Sequence, residues 1–120
     1  MAQCGVVKLR NAHLAVVGRA KVLDYLLNEG HPDNGGKAQF FASLGFSRED
    51  PERLMRALRE VAEHGEVVKS GESAHGEKYV VHGWLSAHTQ ERRQWSVRTV
   101  WIIDRGGDVP RLVTAYPGKE

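Results

Sequence analysis

The stretch Gln94-Trp95-Ser96-Val97-Arg98-Thr99-Val100-Trp101-Ile102-Ile103, followed by Asp104-Arg105-Gly106-Gly107-Asp108 and Val109-Pro110-Arg111-Leu112-Val113-Thr114-Ala115-Tyr116-Pro117, decides the fold. Its first run is dense in β-branched and aromatic side chains, which suit a pleated, half-buried surface. The paired glycines reach positive φ at no steric cost, so the segment reads as two antiparallel strands around a Gly-rich turn. Alternation puts Trp95, Val97, Thr99, Trp101 and Ile103 on one face of the first strand, with Ser96, Arg98, Val100 and Ile102 on the other. On the second strand it sets Leu112, Thr114 and Tyr116 against Arg111, Val113 and Ala115. Polar groups with useful chemistry (Arg98, Thr99, Thr114, Tyr116) therefore stand inside otherwise apolar runs. They are either satisfied core polars or a site built on a sheet.

Working backwards, residues 78–85 alternate as a strand, and residues 66–69 as a shorter one. A Ser- and Gly-containing turn over 70–76 joins these two, and a polar loop over 86–93 leads into the deciding stretch. Ahead of the strands the period is helical. Asp50-Pro51-Glu52 has the chemistry of a helix start, Leu54, Leu58 and Val61 form an apolar stripe, and Gly65 stops it. Ala38, Phe41 and Leu44 mark a helix ending at Gly45, with Asp33 or Asn34 as its cap. Ala20, Leu23, Leu26 and Leu27 mark another, closed by Gly30 and Pro32. The expectation is an α+β fold, N-terminal helices followed by a four-stranded antiparallel meander sheet, in one domain over 1–120. Residues 1–17 read as a possible extended N-terminal arm, and 12–17 suit either a helix start or an extended piece.

The length of 120 residues suits one core rather than two. Apolar residues at 41% and charged residues at 27% are ordinary for a globular domain. A net charge of +2 and a pI near 8.9 are compatible with nucleic acid without requiring it. Cys4, the single cysteine, rules out an internal disulfide and suits a reducing, cytoplasmic setting. No run is long enough to span a membrane as a helix, and no secretory signal is visible.

The six histidines show no metal-binding spacing and no Cys pair joins them, so neither a metal nor another cofactor is expected. Gly35-Gly36-Lys37 lacks Walker spacing; it reads first as a plain turn with a solvated lysine, and a single phosphate contact by Lys37 at the helix start stays physically open beside that. RNA cleavage without metal needs a group to take the 2′-hydroxyl proton, one to protonate the leaving oxygen, and a cation for the phosphorane. His75, placed in a loop just before a strand, Lys78, Arg98, Thr114 and Tyr116 are the candidates, with Lys37 and Arg111 for phosphate. A binding module, for protein or RNA, is the other reading: Arg98 would then pair with a carboxylate and Tyr116 would be a packed ring.

Residues 21–28, 35–41, 44–46, 76–83, 98–102 and 110–117 resemble a family of bacterial domains of unknown function, DUF6883, whose members look like stand-alone proteins or C-terminal modules of toxin-type proteins. More distantly, helices followed by a four-stranded meander ending in Thr114-Ala115-Tyr116-Pro117 look like the barnase, EndoU, colicin and RelE ribonuclease fold. That resemblance implies metal-independent cleavage of RNA and restraint by an antitoxin or immunity protein.

Overall fold

A computed structural model describes residues 7–28, 30, 37–86 and 94–118. Among these, α1 (Arg19–Lys21) runs on as a π-helical stretch, Val22–Leu26, and is followed by α2 (Lys37–Ser43) and α3 (Pro51–His64). Then come β1 (Glu66–Ser73), β2 (Gly76–Ser86), β3 (Gln94–Asp104) and β4 (Pro110–Pro117). The sheet order is β1-β2-β3-β4 and every pairing is antiparallel. The expected meander is present, with longer first strands: β1 and β2 meet through a two-residue turn, Ala74-His75. The caps proposed for α2, Asp33 and Asn34, lie outside the described residues.

α3 is the helix the sequence signs most clearly. Leu54, Leu58, Val61 and Ala62 are buried along one side, and Pro51 starts it where its missing N–H costs nothing. Asp50 holds the N-cap position, but its side chain makes no capping bond and lies 3.7 Å from Arg53 Nε instead. At the other end, Lys8 Nζ donates to the His64 carbonyl at 2.9 Å, a cation on the negative end of the helix dipole. Gly83 lets this helix sit close to β2, since a Cβ there would stand 2.8 Å from Val61 Cγ1.

The core lies between the helices and one face of the sheet. It joins Val22, Leu26, Phe41, Leu54 and Leu58 to Val81, Val97, Trp101, Leu112 and Ala115. Thr99 is the polar member of that face. Its hydroxyl donates to the Val81 carbonyl at 3.1 Å and accepts from Trp101 Nε1 at 2.7 Å, so both buried groups are satisfied. The β3–β4 turn is closed by Gly107 N–H donating to the Asp104 carbonyl at 2.8 Å. Gly106, at φ 83°, takes the third position, where a type II turn needs positive φ.

The described part of the N-terminal segment, residues 7–17, packs on the fold: Leu9, Ala15 and Val17 are buried in the core, and Val16 bridges in parallel to Arg111 on β4. Within this segment Ala12–Leu14 forms one 3-10 turn. One expectation changes: the simple alternation along β4 fails. Val100 pairs with Thr114 and Trp101 with Leu112, leaving Val113 as an extra residue in a β-bulge. The bulge puts Leu112 on the core face, whereas Thr114 and Tyr116 take the opposite one.

Candidate functional site

The β2–β3 register runs unbroken from Gly76↔Asp104 to Ser86↔Gln94, so each cross-strand pair on the outer face can be read directly. His82 pairs with Arg98, and Arg98 pairs with Tyr116. Directly opposed residues project to the same face, with Cβ atoms about 5 Å apart. His82, Arg98 and Tyr116 thus form a row across three strands. Thr114, paired with Val100, is the diagonal neighbour of Arg98. Beyond the row, Ser96 is opposite Trp84, and the Ser96 hydroxyl and His82 Nε2 are hydrogen-bonded at 2.7 Å.

Two atoms in this group are anomalous. Arg98 Nε and Thr114 Oγ1 are buried, and neither has a hydrogen-bond partner. Among the described residues they are the only buried side-chain polar atoms in that state. A buried polar atom without a partner costs about 1–3 kcal/mol, so two of them on one patch call for an account beyond packing.

A cation flanks the patch. Lys37 Nζ donates to the Tyr25 hydroxyl at 2.6 Å and lies 4.8 Å from the centre of its ring. That hydrogen bond is the main reason the Tyr25 pKa falls below 10.0; the Thr114 hydroxyl lowers it further, and burial opposes both. Thr114 therefore lies beside Tyr25 without meeting strict hydrogen-bond geometry.

Of the residues singled out in the sequence, Arg98, Thr114 and Tyr116 come together, and Tyr25 links Lys37 to them. The others stand apart. Lys78 is on the same face but opposite Ile102, four residues along β2 from His82 and so about 13 Å away. Arg111 is also opposite Ile102, and its Nε and Nη2 donate to the two Asp104 carboxylate oxygens at 2.8 and 2.9 Å. That pairing holds the Asp104 carboxyl below its usual range and raises Arg111. His75 sits in the β1–β2 turn, where its carbonyl accepts from Arg105 N–H at 3.0 Å, at the Asp104 end of the sheet.

His82, Ser96 and Tyr25 were not singled out as site residues. His82 has a readable signal, because even-numbered positions of β2 share a face, but its place opposite Arg98 depends on the β2–β3 register. Tyr25 carries no such signal, since its position follows from how α1 packs. Among the described residues no three His, Cys, Asp or Glu side chains are grouped to hold a metal ion.

The fold and this patch define a small α+β domain with a polar cluster on the outer face of a meander sheet. The chain belongs to the DUF6883 family, a domain of unknown function that matches residues 8–119. Its structure is similar to a chain in a contact-dependent growth inhibition toxin–immunity protein complex from Klebsiella pneumoniae 342, with a TM-score of 0.66 and 17% identity. The similarity covers 92% of this chain and 98% of that one. No curated protein matches the sequence.

Proposed function

We propose that this chain is a toxin-type endoribonuclease that cleaves RNA without metal and is restrained by an immunity protein. The observation that carries the reading is the pair of unpartnered buried atoms, Arg98 Nε and Thr114 Oγ1, on one face with His82 and Tyr116. A phosphodiester is the group such a patch suits. Its oxygens accept from Arg98 and Thr114, and the developing phosphorane charge rests against the guanidinium, with Lys37 nearby.

Either His82 or Tyr116 takes the proton of the 2′-hydroxyl as that oxygen attacks phosphorus. The other gives a proton to the 5′-oxygen as the P–O5′ bond breaks. The products are a 2′,3′-cyclic phosphate and a 5′-hydroxyl, and the requirement for a 2′-hydroxyl makes the substrate RNA. The likeness to the growth-inhibition complex supports a toxin setting, and the cytoplasm, where RNA is found, is the proposed place of action.

The test is incubation of purified protein with total RNA and tRNA in EDTA, beside His82→Ala, Arg98→Ala, Thr114→Val and Tyr116→Phe. The expected result is cleavage leaving cyclic phosphate ends, lost or strongly reduced in the folded variants. If folded wild-type protein cuts no RNA with or without divalent metal, the ribonuclease reading fails, and the patch belongs to a binding module.

A further inference from the structure

We propose that the cleft between the C-terminal end of α3 and the C-terminal end of β2 seats a nucleobase of single-stranded RNA, with Trp84 as its stacking wall. This rests on the ribonuclease reading of the adjoining face. β1 begins at Glu66, opposite His82, so among the described residues, 83–86 of β2 pair only with β3. A cleft of about 520 Å³ lies there, lined among others by Lys8, Glu60, Glu66, His82, Trp84 and Gln94.

Trp84 is 52% exposed, whereas Trp101 of the same sheet is 0% exposed. Its ring stands edge-on to His82, with centroids 5.4 Å apart. An exposed indole beside a phosphate-binding patch is the arrangement that holds single-stranded nucleic acid by stacking. The polar lining offers a base both acceptors and donors. The Glu60 and Glu66 carboxylates accept hydrogen bonds from base N–H groups, the Gln94 amide can donate or accept, and Lys8, whose Nζ donates to the His64 carbonyl, is a donor for base carbonyl oxygens. His82 belongs both to this cleft and to the Arg98–Tyr116 row, so a base seated here adjoins a phosphate bound there.

The experiment measures the Kd of fluorescein-labelled 2′-O-methyl RNA oligonucleotides, which cannot be cleaved because the attacking hydroxyl is blocked. Wild type, Trp84→Phe and Trp84→Ala are compared at one salt concentration, with circular dichroism to verify folding. Stacking strength predicts that Trp84→Ala weakens binding roughly 5- to 100-fold while Trp84→Phe retains most of it. One abasic position in the oligonucleotide should cost wild type a similar factor and cost Trp84→Ala little. Equal binding by wild type and Trp84→Ala, no binding by wild type, or full additivity with every abasic position overturns the base site. A protein that binds through Trp84 but cuts no RNA loses the ribonuclease reading alone, and one that cuts RNA with KM unmoved by Trp84→Ala loses the cleft alone.

Discussion

Replacing Thr114 with Val should make the protein more stable and less active. The two side chains have nearly the same shape, and Val suits a strand at least as well. What is removed is a buried hydroxyl with no hydrogen-bond partner, whose desolvation costs about 1–3 kcal/mol. Part of that cost is offset in the native protein, because the hydroxyl lies against Tyr25 and lowers its pKa. A net gain of about 1 kcal/mol is expected. An unfolding entropy of ~2.1 cal/mol/K per residue over this chain comes to ~250 cal/mol/K, so Tm should rise by ~4 °C. Loss of one preorganised donor to a transition-state oxygen commonly lowers kcat by about 10²–10³.

Scanning calorimetry and RNA cleavage in EDTA read the two effects on the same preparations. If Tm falls by several degrees, the hydroxyl is bonded in the native state and the anomaly is gone. If cleavage is unchanged, Thr114 takes no part in the site. Either result refutes the reasoning, since it requires a group kept at a cost in stability for a ligand.

The same chemical change at Thr99 should have the opposite sign. Thr99→Val removes the acceptor of the buried Trp101 indole N–H and should destabilise by about 1–3 kcal/mol, read as a lower Tm with no change of secondary structure. Alkaline titration at 295 nm should find the Tyr25 phenolate forming below pH 10.0, and Lys37→Met should move it back up. Because the folded pKa is depressed, Tyr25 adds stability fully only above the unfolded value. That contribution disappears as pH falls through the folded value, so Lys37→Met should leave this term unaltered near pH 7.

The elements with strong local chemistry were legible in the sequence. Pro51 and the stripe Leu54, Leu58 and Val61 announce α3, and the β-branched run with Gly106-Gly107 announces β3 and its turn. What alternation could not show was the bulge at Val113. A period of two has no mark for an extra residue, yet that residue decides whether Thr114 sits with Leu112 or with Arg98. The site had the same limit. Arg98, Thr114 and Tyr116 are visible as polar interruptions of apolar strands, but His82 joins them only through the β2–β3 register, which rests on pairing across the sheet. Lys78 and His75 drew notice by their place in sequence, and that same register sets them along the face and beyond its end.

Two arginines on adjacent strands provide a comparison inside the protein. Arg111 faces a carboxylate and is held in both arms by Asp104, the arrangement that a purely structural arginine on this face would adopt. Arg98 sits in the interior of the central pair β2–β3, half-buried, and its Nε meets no hydrogen-bond partner among the described residues. A guanidinium cannot escape burial by losing its proton, because its pKa is above 12. An Arg98 kept only for packing would be improved by Met or Leu, which fill the same space without desolvating a charge. The position instead carries the side chain that best matches phosphate geometry and sets it between His82 and Tyr116, the two residues proposed to move a proton. The binding-module reading, in which Arg98 pairs with Asp or Glu of its own chain, asks for a bond of the kind Arg111 has, which Arg98 Nε does not make with any described residue. In the proposed reading the partner is a phosphate, whose oxygens would satisfy Arg98 Nε and Thr114 Oγ1 together.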